Sequence, residues 1–182
     1  MTKMPTEVMK AILEGREKRA LLQKELLQFW GTPLVSFTLN IPGPEKNSPN
    51  YKLIHEIGVS LLLNALAKAE IEVVYFEIKE RASGTEGFFC IKGDSLTIKK
   101  TTVLIEEGHY LGRIFDFDVL NKEGRAISRR DIGLNERKCF LCESPANFCR
   151  RNHTHTLDEL LKGLNQLIED FICPKEEKNE FR

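Results

Sequence analysis

Asp116 and Asp118 stand two residues apart in Leu111-Gly112-Arg113-Ile114-Phe115-Asp116-Phe117-Asp118-Val119-Leu120. The alternation predicts a strand over 111–120, and residues two apart on a strand face the same way. The two carboxylates then project together, while Phe115, Phe117 and Val119 hold the strand to a core. Like charges at that spacing repel each other and call for a cation. Mg²⁺ is the natural one, a hard ion bound by carboxylates that also bridges substrate phosphates. In phosphoryl transfer it offsets charge on the attacking and leaving oxygens. A solvated strand face with two ordinary acids satisfies the same pattern, because Asp-x-Asp is common. No third metal carboxylate is identified; Asp131 is only a candidate.

Arginine is dense in the same region. Arg113, Arg125, Arg129, Arg130, Arg137, Arg150 and Arg151 all fall between 113 and 151. Guanidinium forks match phosphate oxygens, and several could hold a polyphosphate beside a metal. Surface salt bridges are the competing use of each one.

Cys139-x-x-Cys142, then Cys149, His153 and His155, can supply a structural zinc site. The interval from 142 to 149 is short for paired knuckles. Only one of the two histidines, two residues apart, is expected to reach the same ion. Buried reduced thiols account for the same residues without a metal, and redox or nucleophilic chemistry is a third use. Cys90 reads as core, and Cys173 as packing or exposed at a helix end. His55 reads as core or surface. His109 could act as a base near neutral pH or simply sit in a loop.

These side chains need elements to place them. Helical spacing runs over 6–30, where Pro33 closes the segment, and a strand follows over 34–39. Ser48-Pro49 opens a second helix through about residue 69. Strands follow at 71–78 and 88–91, joined by a turn through 83–87. Residues 95–107 carry Asp94 as a cap but several β-branched side chains, and the reading leans to helix. After a turn at 121–124 comes a short strand at 125–128, and Ser144-Pro145 opens a brief helix. Thr156 and Glu159 form a capping box for an amphipathic helix with Leu160, Leu164 and Phe171 on its apolar side. The tail from Pro174 is expected to fray. Interleaved helices around a hairpin predict a single α+β domain over 1–182, with a mixed or antiparallel sheet packed against helices.

The composition agrees. The 182 residues suit one domain that buries roughly 70% of its unfolded surface. Lys plus Arg equal Asp plus Glu at 27 each. This zero net charge argues against a general nucleic-acid or membrane-surface binder. No run approaches the ~20 apolar residues of a membrane span, and no signal peptide opens the chain. Five cysteines, three of them crowded between 139 and 149, suit a reduced cytoplasmic protein.

Three segments together resemble a known family. They are Ser36-Phe37-Thr38-Leu39-Asn40-Ile41-Pro42-Gly43-Pro44-Glu45-Lys46; Gly112 through Leu120; and Ser128-Arg129-Arg130 to Gly133, followed by Arg137-Lys138-Cys139-Phe140-Leu141-Cys142 to Ala146, Cys149, Arg150 and His155. In this order they look like the apo-citrate lyase phosphoribosyl-dephospho-CoA transferases, from about residue 12 to 170. One departure is visible: where the family pattern has Arg-Ser-Arg-x-His, this chain reads Arg151-Asn152-His153-Thr154-His155. Some relatives are fused to the enzyme that makes the donor; this chain has the length of the stand-alone form.

The resemblance implies a cytoplasmic nucleotidyltransferase. It would move 2'-(5''-phosphoribosyl)-3'-dephospho-CoA from its triphosphate precursor to a serine of the citrate lyase acyl carrier subunit, releasing pyrophosphate. Asp116 and Asp118 would hold Mg²⁺. Arg113, Arg129 and Arg130 would neutralise the pyrophosphate leaving group, and Arg129, Arg130, Arg125, Arg137 and Ser128 would bind the donor. Asn40, Pro42 and Gly43 would form a loop over donor or carrier, and Asp118 or His155 could take the serine proton. The pattern apolar-Asp-apolar-Asp-apolar is also similar to the nucleotidyltransferases related to DNA polymerase β, although no Gly-Ser helix start stands a short way upstream. Three other readings remain. One is a zinc-binding interaction module with Cys139, Cys142, Cys149 and His155 as ligands. Another is a transferase for the malonate decarboxylase carrier. The last is a phosphoribosyl-binding regulator without turnover.

Overall fold

The computed structural model of the chain describes residues 6–173. Helix α1 (Thr6–Trp30) leads to strand β1 (Leu34–Leu39), helix α2 (Pro49–Lys68) and a hairpin of β2 (Glu72–Arg81) and β3 (Gly84–Lys92). Helix α3 (Ser95–Gly108), strands β4 (Phe115–Leu120) and β5 (Ala126–Ile127), a 3-10 turn at Arg130–Ile132, and helices α4 (Ala146–Asn152) and α5 (Leu157–Ile172) follow. Local chemistry sets several boundaries. The Ser48 and Asp94 side chains accept from the Tyr51 and Thr97 amides to start α2 and α3. Thr156 and Glu159 close the capping box of α5.

The sheet order is β2-β3-β1-β4-β5, and every neighbouring pair is antiparallel. Of the two sheets expected, the mixed one is therefore not formed. The tail from Pro174 lies outside the described residues.

The sheet has two dissimilar faces. On one, Val35, Phe37, Phe89, Ile91, Phe115 and Phe117 pack against Ile54, Leu62, Leu66 and Ile98 of α2 and α3. Phe37 is the centre of that layer, stacked on Phe117 at 4.3 Å and on the His55 ring at 4.6 Å. Gly58 makes room for it, since a Cβ there would lie 2.3 Å from the Phe37 ring. On the other face a smaller cluster of Leu34, Phe88 and Cys90 meets Leu26 and Leu27 of α1.

Among the boundaries that differ from the sequence reading, two place side chains near the cleft or in the sheet. Strand β4 begins at Phe115, because 109–114 coils into turns closed by Gly112 N–H to His109 O (2.8 Å) and Ile114 N–H to Leu111 O (2.9 Å). Arg113 therefore leaves the chain from a turn. The hairpin loop is also shorter than 83–87, so Gly84–Gly87 belong to β3. Glu86 thereby enters the sheet fully buried, held by Arg19 (3.3 Å), Arg81 (3.0 Å) and Ser83 (2.9 Å). The leaning toward helix over 95–107 is correct: Asp94 starts α3, and its β-branched residues Thr102, Val103 and Ile105 are buried, so packing outweighs their weak helix propensity.

Candidate active-site cleft

Asp116 pairs in register with Thr38, and Asp118 with Ser36. Both side chains point away from the Phe37–Phe117 layer, as the two-residue period requires. Strand β5 is only two residues long and covers β4 at Val119 and Leu120. Beyond it, α3 supplies the missing partner with side chains: Lys99 Nζ donates to Phe117 O (2.9 Å), and Phe117 N–H donates to Glu106 Oε1 (3.3 Å). That closes the edge where the carboxylates sit and leaves their own face free.

This face opens on a cleft of about 630 Å³. Asp116 and Asp118 line it together with Asn40 and Pro42 from the chain leaving β1, and Arg113 from the turn before β4. The opposite wall comes from 137–155, including Arg137, Phe140, Arg150 and His153. Arg137 reaches across, with Nη1 3.4 Å from Asp116 Oδ1 and Nη2 donating to the carbonyl of Arg113. Arg113 Nη1 donates to the Cys139 carbonyl at 2.7 Å. Asp118 is accessible from the cleft but ringed by protein atoms. That desolvation, and then the charge of Asp116, raises its pKa to about 6, against the pull of Lys99 and Arg19.

Beside the cleft, Cys139, Cys142, Cys149 and His155 converge with their ligand atoms within 4.8 Å of one another. His155 Nε2 lies 3.3 Å from Cys142 Sγ; both histidines line the cleft, but only His155 belongs to the cluster. The backbone N–H of Ser144, then His155, then Cys149, draw the Cys142 thiol down to about 6.

Other sequence-selected residues lie apart from the cleft lining. Arg125 and Ser128 are bound to Asp131 at 3.0 and 2.6 Å, and Arg130 is bound to Glu136 at 2.6 Å. Asp131 is thus spent on its own neighbours, and its carboxyl is held down to about 2, by the Ser128 hydroxyl first. Arg129 is held by Glu106 and Glu107 at 2.5 Å each, in an adjoining hollow of about 360 Å³ that shares Arg113, Arg137 and Lys138 with the cleft. Gly43, at φ +78°, turns the chain after Pro42 toward Leu157 of α5. His109 accepts the Leu111 amide on Nδ1 and stacks on Phe115, so it braces the turn. His55 is core, as one reading had it.

Residues 7–171 match the family model of the apo-citrate lyase phosphoribosyl-dephospho-CoA transferases. The chain belongs to that family. Proteins named apo-citrate lyase phosphoribosyl-dephospho-CoA transferase from Citrobacter koseri, Shigella boydii and Escherichia coli O157:H7 are 40%, 38% and 38% identical to it over 159 residues, covering 87% of each chain.

The segments that carry the resemblance to the citrate lyase transferases are far apart in sequence, and they meet at the cleft. Asn40 and Pro42 come from the first, Arg113, Asp116 and Asp118 from the second, and Arg137, Cys139, Cys149, Arg150 and His155 from the third. The early part of that third segment, Ser128 to Arg130, stays outside the lining. Lys138, Phe140, Ala146, Asn147 and Leu160 also line the cleft without a site role in the sequence reading. For Lys138, Phe140 and Ala146 the signal is their place inside the family segment.

Proposed function

We propose that the chain transfers the 2'-(5''-phosphoribosyl)-3'-dephospho-CoA group from its 5''-triphosphate donor to a serine of the apo acyl carrier subunit of citrate lyase, in the cytoplasm. The observation that carries this reading is the convergence of the three family segments on one cleft, with paired carboxylates on its floor and arginines on its walls. The donor is a polyanion with a nucleotide-like body. A cleft of that size, lined by Arg113, Arg137 and Arg150, suits it.

In the reaction the serine Oγ bonds to the 5''-phosphorus as the bond from that phosphorus to the oxygen bridging to the β-phosphate breaks. Pyrophosphate leaves with the electron pair, and the serine proton passes to solvent. The nucleophile comes from the carrier, so the cleft needs none of its own. Arg113 and Arg137 line the cleft and would meet the charge that grows on the leaving group, where fixed donors favour the transition state. Asp116 and Asp118 fit a divalent cation: two carboxylates on one face, one of them with its pKa raised in part by the other. Bound there, Mg²⁺ would supply charge neutralisation for the polyphosphate.

Intact-mass measurement of apo carrier, incubated with this protein, donor and Mg²⁺, tests the reading. The expected result is a mass gain equal to the phosphoribosyl-dephospho-CoA group, abolished by EDTA. No gain with a competent donor and carrier overturns it. Running the malonate decarboxylase carrier beside the citrate lyase carrier decides between the two acceptors.

A further inference from the structure

The chain between Ser128 and Thr156 has almost no core of its own. Only Cys139 and Cys149 are buried in it. Its regular structure is one 3-10 turn, the short helix α4 and an isolated bridge between Lys138 and Pro145. Yet this segment forms one whole wall of the cleft. A stretch that buries this little apolar surface gains stability from a disulfide or a metal, as very small domains do. A disulfide is not what holds it: Cys142 Sγ and Cys149 Sγ are 3.4 Å apart, against about 2.05 Å in a bond, and all of these cysteines are free.

The backbone is shaped to bring four ligands to one point. Cys139 N–H donates to Ser144 O at 2.8 Å, which folds Cys139-Phe140-Leu141-Cys142 into a tight knuckle. Helix α4 carries Cys149. His153, at φ +49°, takes a left-handed conformation that reverses the chain after α4 and returns His155 to the sulfurs. A tetrahedral ion with Zn–S near 2.3 Å and Zn–N near 2.0 Å spaces its ligands at roughly 3.5–3.8 Å from one another. The observed separations of 3.4 Å (Cys142–Cys149) and 3.3 Å (His155–Cys142) lie close to that.

We propose that Cys139, Cys142, Cys149 and His155 bind a structural Zn²⁺ that staples the 137–155 wall of the cleft. Four protein ligands fill a tetrahedral shell and leave no position for substrate, so the ion is structural and not catalytic. On binding, the three thiols release their protons to solvent and the neutral imidazole gives a lone pair. The resulting cluster carries one net negative charge, beside Arg113, whose guanidinium already holds the Cys139 carbonyl. The ion thereby fixes the position of an arginine of the cleft through the backbone of one of its own ligands.

Metal content is read without turnover, so this proposal and the transfer reaction fail separately. Full-length protein, purified reduced and without chelator, is analysed for zinc before and after a mercurial blocks its thiols. The expected result is roughly one zinc per chain, released as the thiols react. Replacement by Co²⁺ should give the visible bands of a tetrahedral ion with thiolate ligands. Cys142→Ser should lose these bands, while Cys90→Ser and Cys173→Ser keep them. Stripping the metal should speed amide hydrogen exchange over 137–155 and leave β1 and β3 protected. Reduced wild-type protein with no zinc and no cobalt bands overturns the proposal, whatever the variants do. Zinc retained in full by Cys142→Ser with Cys149→Ser, or a Cys142–Cys149 disulfide in place of metal, overturns it as well.

Discussion

Arg113 and Cys139 are joined by a 2.7 Å hydrogen bond from the guanidinium Nη1 to the backbone carbonyl. The two residues lie on different parts of the fold, one on the turn that feeds β4 and one on the knuckle across the cleft. The bond couples the carboxylate floor to the opposite wall. Arg137 completes the link from the other side, through Asp116 and the Arg113 carbonyl. Arg113→Lys should break this coupling without removing the charge, because an ammonium lacks the planar fork. A charged hydrogen bond of this kind contributes on the order of 1.5–3 kcal/mol. We expect faster hydrogen exchange at 139–145 and a tenfold or greater fall in kcat/KM, measured together.

If Asp116 and Asp118 hold Mg²⁺ as proposed, Asp116→Asn and Asp118→Asn should each lower turnover by orders of magnitude, since a cation there would supply several kcal/mol of charge stabilisation. Asp116→Asn should move the thermal transition little, whereas Asp118→Asn should raise it at neutral pH, because it removes a charge that burial disfavours. Unchanged turnover in either variant would remove that residue from the metal site.

His55 predicts an acid-sensitive fold. It is buried against Phe37, its Nε2 has no hydrogen-bond partner among the described residues, and burial holds its pKa down to about 4. The unfolded chain binds this proton near pH 6.5, so the folded state is at full strength above 6.5 and loses stability as pH falls toward 4. By pH 5 the loss is about 2 kcal/mol. Asp118 acts in the opposite sense. With its pKa raised to about 6, it disfavours the folded state above that pH, and this is relieved as the group protonates. Thermal melts of Asp118→Asn should therefore fall more steeply between pH 7 and 5 than wild type, and those of His55→Gln less steeply. Parallel slopes for His55→Gln and wild type would exclude His55 as the sensor.

Gly112 and Gly108 should respond in opposite directions. A Cβ on Gly112 would lie 2.3 Å from the Glu106 carbonyl oxygen, a backbone atom that cannot swing aside. Gly112→Ala should cost on the order of 1–3 kcal/mol and shift Arg113. Gly108 ends α3, a Cβ there would meet no other part of the described residues within 4 Å, and Gly108→Ala should be neutral or stabilising by about 0.5–1 kcal/mol. Denaturant midpoints for the two variants check the contrast.

Much of this was legible in the chain itself. The period-two pattern through Phe115-Asp116-Phe117-Asp118-Val119 fixes both carboxylates on one face, because strand geometry is local. The capping box at Thr156 and the Ser48-Pro49 start follow from hydrogen bonds made within one turn. What the residues could not show was which distant side chains would meet. Seven arginines looked alike in sequence, yet Arg113, Arg137 and Arg150 line the cleft, while Arg125 and Arg130 are taken up by Asp131 and Glu136. A guanidinium pairs with whichever carboxylate the chain brings near, and loop spacing does not encode that. Glu86 stayed hidden because a glycine on each side read as a turn, whereas pairing with β2 drew the segment into the sheet. The short spacing from Cys142 to Cys149 does not suggest that these residues meet; α4 and the left-handed His153 bring them together with Cys139 and His155. Local periodicity therefore determined the elements and the shared face of the aspartates. The return path of the chain in three dimensions decided the cleft, its arginines and the four-ligand cluster.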